Sequence, residues 1–217
     1  MFLNIYKIEC NGQVIKKQFF KDSLQSIIDS AVYPHKKIPE EFSSAIKVAL
    51  NYYPELKSSK IIFRVKKQSA PLAARPSVFS VFRRAAKRKY IVIICNRIDS
   101  KLSPILLKNL STNSQIGVIG HELSHISDYN SRLGIYFIKL VCMHFSKKAI
   151  DKFEYATDKR CIAHGLGYQL LSWSEEVRLK LNLLQWRGAK QLTKGGRERY
   201  MNPETIVKTM KLFPIYN

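Results

Sequence analysis

His121-Glu122-Leu123-Ser124-His125 places two histidines four residues apart with a glutamate beside the first. On a helix, positions i and i+4 share a face, with Cβ atoms roughly 5–6 Å apart. Two imidazoles so placed can converge on one ion at zinc–nitrogen distances of about 2.0–2.1 Å. Glu122 sits one step round the helix. There it lies close to a metal-bound water and can take its proton as general base. Chance would produce this pattern only about 0.005 times in a chain of this composition, so the spacing reads as chemistry rather than coincidence.

A catalytic zinc ion usually has three protein ligands and one open position, so a third donor must come from elsewhere. A metzincin would carry Gly at 128 and His at 131, but Asp128 and Ser131 stand there. The stretch FEYATDKR, residues 153–160, offers Glu154 and Asp158, again four apart on a helix. Glu154 can supply the third ligand, with His144 and His164 as alternatives. Asp158 lies one turn on, placed to accept the second ring N–H of a ligating histidine and fix its tautomer.

HELSH, with ExxxD beginning 29 residues after His125, resembles the gluzincin clan of zinc metallopeptidases. The likeness is to its small soluble members, the minigluzincins, and to the catalytic domains of its transmembrane relatives. It spans roughly residues 39–168. It implies an α+β, zincin-like fold: a small mixed β-sheet with an edge strand, a backing helix over residues 39–53, an active-site helix and a glutamate helix. It also implies one Zn2+ per chain, a peptide or protein substrate, His121, His125 and Glu154 as ligands, Glu122 as base and Asp158 behind a histidine. His164 and Tyr168 follow Asp158 and are candidates for stabilising the oxyanion. His164, just before Gly165, reads equally as a plain helix cap.

These residues need elements to hold them. Asn11-Gly12 between two strand-like runs predicts a hairpin, and residues 22–33 have helical spacing. Pro39, followed by Glu40 and Glu41, opens a helix. Residues 60–67 read as a strand. Two more strands, near 77–82 and over the YIVIIC run at 90–95, are joined by a basic connection. The second is apolar on both faces, so it belongs inside a sheet. A short helix over 102–110 precedes a capping box of Thr112 and Gln115, which opens the helix bearing HELSH. Gly117 and Gly120 within that helix each cost up to about 1 kcal/mol against Ala, and imply close approach of another backbone or of substrate. Residues 133–145 read as a buried helix, or else one lying on a membrane surface. Helices over 149–164, closed by Gly165 and Gly167, over 173–187 and from Pro203 complete the chain.

The length suits one domain over residues 1–217, with an N-terminal hairpin and helix (1–38), a core (39–168) and a helical extension (169–217). No run is long enough for a transmembrane span, and the first residues lack a signal-peptide pattern. Cys10, Cys95, Cys142 and Cys161 form no CxxC pair and read as reduced thiols, so a cytoplasmic protein is expected. The formal net charge is +21. Its densest cluster holds Arg83, Arg84, Lys87, Arg88 and Lys89, flanked by Phe82 and Tyr90. Such a field attracts nucleic acid, anionic membrane or another polyanion. The expected activity is zinc-dependent endopeptidase cleavage. The competing readings are a basic nucleic-acid-associated or repressor-cleaving regulatory zincin, and a zymogen whose C-terminal segment covers the cleft.

Overall fold

An apolar run buried on both faces takes the middle of a sheet because only there does it meet side chains on each side. Tyr90–Cys95 does so in the computed structural model, which describes residues 16–19, 33–98, 101–143, 145–182 and 198–217. The strands are β1 (Lys36–Lys37), β2 (Lys60–Lys66), β3 (Leu72–Pro76) and β4 (Lys89–Cys95), in the order β1-β2-β4-β3. β1 runs parallel to β2 and β2 parallel to β4, while β3 runs antiparallel to β4 with Ala74 opposite Val92. The result is a small mixed sheet with β3 on its edge. Ile61, Phe63, Tyr90, Val92 and Ile94 point to one face and join the main core, as the two-residue alternation of a strand requires.

The helices are α1 (Ser43–Asn51), α2 (Thr112–Ser131), α3 (Tyr136–Met143), α4 (Lys147–Cys161), α5 (Gly167–Lys180) and α6 (Pro203–Met210). Pro39, Glu40 and Glu41 open a 3-10 turn that leads into α1. α1 buries Ala45, Ile46, Val48, Ala49 and Leu50. α2 is buried almost throughout Ile116–Ile126 and carries HELSH through the interior.

Its N-terminus differs from the expected box. Ser111 is the cap, its hydroxyl accepting from the Ser114 amide, and Thr112 is already helical. Gln115 instead donates to the Leu107 and Leu110 carbonyls. Glu176 from α5 accepts from the Ser111 amide and hydroxyl, so an acid sits where the helix dipole favours one.

The two glycines of α2 allow the close approach their positions imply. A Cβ on Gly117 would collide with the carbonyl of Gln169 on α5, and one on Gly120 would lie 2.5 Å from Leu166 Cδ1. The helix that begins as α4 breaks at a kink at Gly165, one of the two glycines expected to close it. A π-helical turn, Ile162–Leu166, joins it to α5, with Gly165 at φ 94°, a region open to glycine at no steric cost.

The strand expected near 77–82 lies earlier, at Leu72–Pro76, and Val78–Ser80 is a 3-10 turn. Residues 102–110 form two such turns rather than one helix. Within 133–145 the helix covers Tyr136–Met143 and buries Phe137 and Leu140, but Leu133, Ile135 and Phe145 are exposed. No helix among the described residues is long and apolar enough to cross a membrane. Cys95 and Cys161 are free and buried. The hairpin at Asn11-Gly12, the helix at 22–33, Cys10 and His144 lie outside the described residues, as does the side chain of Cys142.

Candidate metal centre

α2 and α4 meet along one stripe each. On α4 the stripe is Glu154, Thr157, Asp158 and Cys161, spaced three and four apart so that all face α2. On α2 it is Gly120, His121, Ser124 and His125. Ligand atoms of His121, His125 and Glu154 all lie within 4.8 Å of one another. Nε2 of His121 is 3.1 Å from Nε2 of His125 and 3.1 Å from Oε2 of Glu154. Nε2 of His125 is 3.3 Å from the same Glu154 oxygen. These three residues, identified from spacing, could hold a metal ion.

The second nitrogen of each ring is already engaged. Nδ1 of His121 donates to Asp158 Oδ1 at 2.7 Å, and Asp158 Oδ2 accepts from the Met201 amide at 2.7 Å. Both Asp158 oxygens are thus occupied away from the cluster. Nδ1 of His125 lies 3.3 Å from the Thr157 hydroxyl, which itself donates to the Phe153 carbonyl. That hydroxyl therefore accepts from Nδ1–H. Nε2 is therefore the nitrogen that each ring, once neutral, can offer a metal.

Electrostatics follow from this burial. Desolvation pushes the His121 pKa down, but hydrogen bonds and charge from Asp158 and Glu154 hold it well above the ordinary imidazole value. Burial pushes the Glu154 carboxyl up, but both histidines hold it well below the usual carboxylate range. The cluster therefore stabilises positive charge at the point the three ligand atoms share. Glu122 is buried, and burial raises its pKa against the lowering effect of both histidines and the Ala74 amide. Its Oε2 has no hydrogen-bond partner among the described residues.

Two cavities share His121, Glu122, Leu72 and Tyr200. One, about 200 Å³, is bounded by Ala73, Ala74, His125 and Glu154. The other, about 380 Å³, is more apolar and is walled by Leu107, Val118, Trp173 and Val177. Tyr200 is 5.7 Å from the His121 ring and Trp173 is 5.8 Å from it, between ring centroids. Phe153 stacks on His125 at 5.0 Å.

The candidates for oxyanion stabilisation are elsewhere. His164 contacts the Arg160 carbonyl and Glu55 and stacks on Tyr53 at 4.2 Å. Tyr168 packs against Tyr216. Neither lines the cavities. Tyr200, not among the expected residues, lines both cavities. It stands far from the motif in sequence, in an irregular segment, and no periodicity marks it. Thr157 was also missed, although three residues after Glu154 is a same-face position.

The basic cluster divides as well. Arg83, Arg84 and Lys87 are exposed and Lys89 is half-buried, but Arg88 is buried. It donates to the carbonyls of Arg83, Tyr129 and Arg132, so it ties a turn to the end of α2 instead of facing a partner. No protein-family model matches the chain, and no curated protein or solved structure is significantly similar to it.

Proposed function

We propose that this chain is a zincin-type zinc metallopeptidase acting on peptide or protein substrates. One observation carries the reading: two imidazole Nε2 atoms and a carboxylate converge beside a buried glutamate oxygen that has no partner among the described residues. Two histidines and a glutamate are a donor set that suits catalytic zinc, with a position left open. When bound, the ion would supply Lewis acidity toward a substrate carbonyl and a water.

The chain's own groups supply the rest. Glu122 takes the proton of the attacking water at its free oxygen and later gives it to the leaving nitrogen, so the amine departs neutral. Burial raises its pKa, which favours holding the proton between those two transfers. Tyr200, whose hydroxyl burial keeps protonated, lines both cavities and is our choice of donor to the oxygen that gains charge. No described strand pairs with the outer edge of β3, so an extended substrate backbone could add there. The apolar cavity would receive one of its side chains.

The test is digestion of a mixed peptide library by the full chain with measured zinc content, beside Glu122→Gln and Tyr200→Phe. Wild type should cleave. Glu122→Gln should keep its zinc and lose about 10²–10⁴-fold in rate. Tyr200→Phe should lower kcat more than it raises KM. A zinc-loaded wild type that leaves the library intact would favour the competing reading, a basic regulatory protein with an idle metal site, for which the net charge of +21 speaks.

A further inference from the structure

Away from the cavities, large apolar side chains gather on the surface. In the turn after β3, Val78 is 66% exposed, Phe79 92% and Phe82 79%. In the link between α2 and α3, Leu133 is 80% exposed and Ile135 72%. The two segments touch, since a Cβ on Gly134 would lie 3.3 Å from the Val81 carbonyl oxygen and 3.4 Å from Phe82 Cα. Scattered single apolar residues are ordinary on a protein surface, but a contiguous group marks a docking site.

The turn is held from beneath. Arg88 donates from Nε to the Arg83 carbonyl at 2.9 Å. Its Nη1 donates to the Tyr129 carbonyl at 2.8 Å and the Arg132 carbonyl at 2.6 Å. Its guanidinium lies 5.2 Å from the centre of the Phe137 ring. The buried Ser80 hydroxyl contacts the Ser77 and Lys89 carbonyls. The inward positions are filled by Ser80 and Arg88, so Phe79 and Phe82 stand outward on a fixed support. Exposed Arg83, Arg84 and Lys87 lie directly beside them in the chain.

We propose that this surface docks the protein on an anionic lipid bilayer. Apolar side chains would enter below the headgroups while Arg83, Arg84 and Lys87 meet lipid phosphates at headgroup level. The net charge of +21 adds a long-range attraction to a negative surface. Nucleic acid is the weaker fit. It rewards aromatic rings that stack on bases, but leaves Val78, Leu133 and Ile135 exposed to water. The surface also lies near the metal centre. α3 starts beside Ile135, and its Leu140 and Met143 line the smaller cavity. Eight helical residues span about 12 Å, so docking would hold that cavity close to the membrane.

The experiment is co-sedimentation of the full chain with phosphatidylcholine vesicles, with and without about one third phosphatidylglycerol. The protein should pellet with the anionic vesicles and stay in solution with the neutral ones. Phe79→Ser with Phe82→Ser, and separately Leu133→Ser with Ile135→Ser, should weaken binding by roughly tenfold or more. Arg83→Gln, Arg84→Gln and Lys87→Gln together should weaken it and flatten its salt dependence. None of these side chains lines either cavity, so zinc content should not change. Phe79→Trp guards against a variant that fails to fold, because its added emission should shift to the blue on anionic vesicles. Four results would each overturn the proposal: a chain that never pellets, serine variants that bind as wild type does, tighter binding to an oligonucleotide that only the charge variant loses, or a dimer that the serine variants dissociate.

Discussion

Both site histidines present Nε2 to a common point because Asp158 and Thr157 hold the other nitrogen. Thr157→Val and Asp158→Asn should therefore each weaken zinc binding by about 10–100-fold, the usual effect of such partners. Competition against a zinc indicator would show it, and unchanged affinity in both would mean the rings are oriented by packing alone. Zinc bound there as proposed would also have to displace any proton His121 carries. Asp158 and Glu154 hold that pKa well above the ordinary value, so the metal-free ring stays protonated to higher pH than a free histidine. Zinc affinity should then rise with pH through neutrality and level off once His121 is neutral without metal. Calorimetry in two buffers of different ionisation heat should detect a proton released at pH 7; release of none would mean His121 is neutral there. The candidate ligands and Asp158 were legible in the sequence because i, i+4 spacing makes neighbours of residues on one helix. Tyr200 and Trp173 were not, because tertiary packing alone brings them to His121.

Elements set the separation of α2 from its neighbours. Gly117 lies against the Gln169 carbonyl of α5, a backbone group with no rotamer to yield. Gly117→Ala should cost about 1–3 kcal/mol or more, as overpacking does, and lower the melting temperature by several degrees. Gly120→Ala meets the flexible end of Leu166 and should cost less. A Gly117→Ala protein as stable as wild type would contradict this packing. The last described segment is part of the site wall. Met201 donates to Asp158, Arg199 pairs with Asp151 at 2.7 Å, and Ile206 and Met210 are buried in the core. Ending the chain at residue 197 should therefore reduce both stability and zinc affinity. A shortened protein more active than wild type would instead establish the tail as an inhibitor. The sequence misplaced the edge strand for a physical reason. Val78, Phe79 and Phe82 look strand-like by type, yet they are exposed on a turn. Ala73-Ala74-Arg75-Pro76 lacks strand-forming residues but suits an edge, where proline is tolerated.

At the scale of the whole molecule, the candidate metal centre joins segments from far apart in the chain: α2, α4 and, through Asp158, Met201. The mixed α/β class was legible from the apolar YIVIIC run and the helical spacing around it. How the C-terminal segment closes on α4 was not, since no local pattern encodes it. If the cluster holds zinc as proposed, the folded chain would bind it and the unfolded chain would offer no assembled site, so saturating metal should raise the melting temperature and a chelator should lower it. The gain is about 2.7 kcal/mol when free zinc is a hundred times its Kd. The most direct measurement is metal content by mass spectrometry on purified wild type, Glu122→Gln, His121→Ala, His125→Ala and Glu154→Ala. About one zinc per chain is expected in the first two, with most of it lost in the other three. Full occupancy in Glu154→Ala, or no zinc in wild type supplied with it, would contradict the metal centre described here.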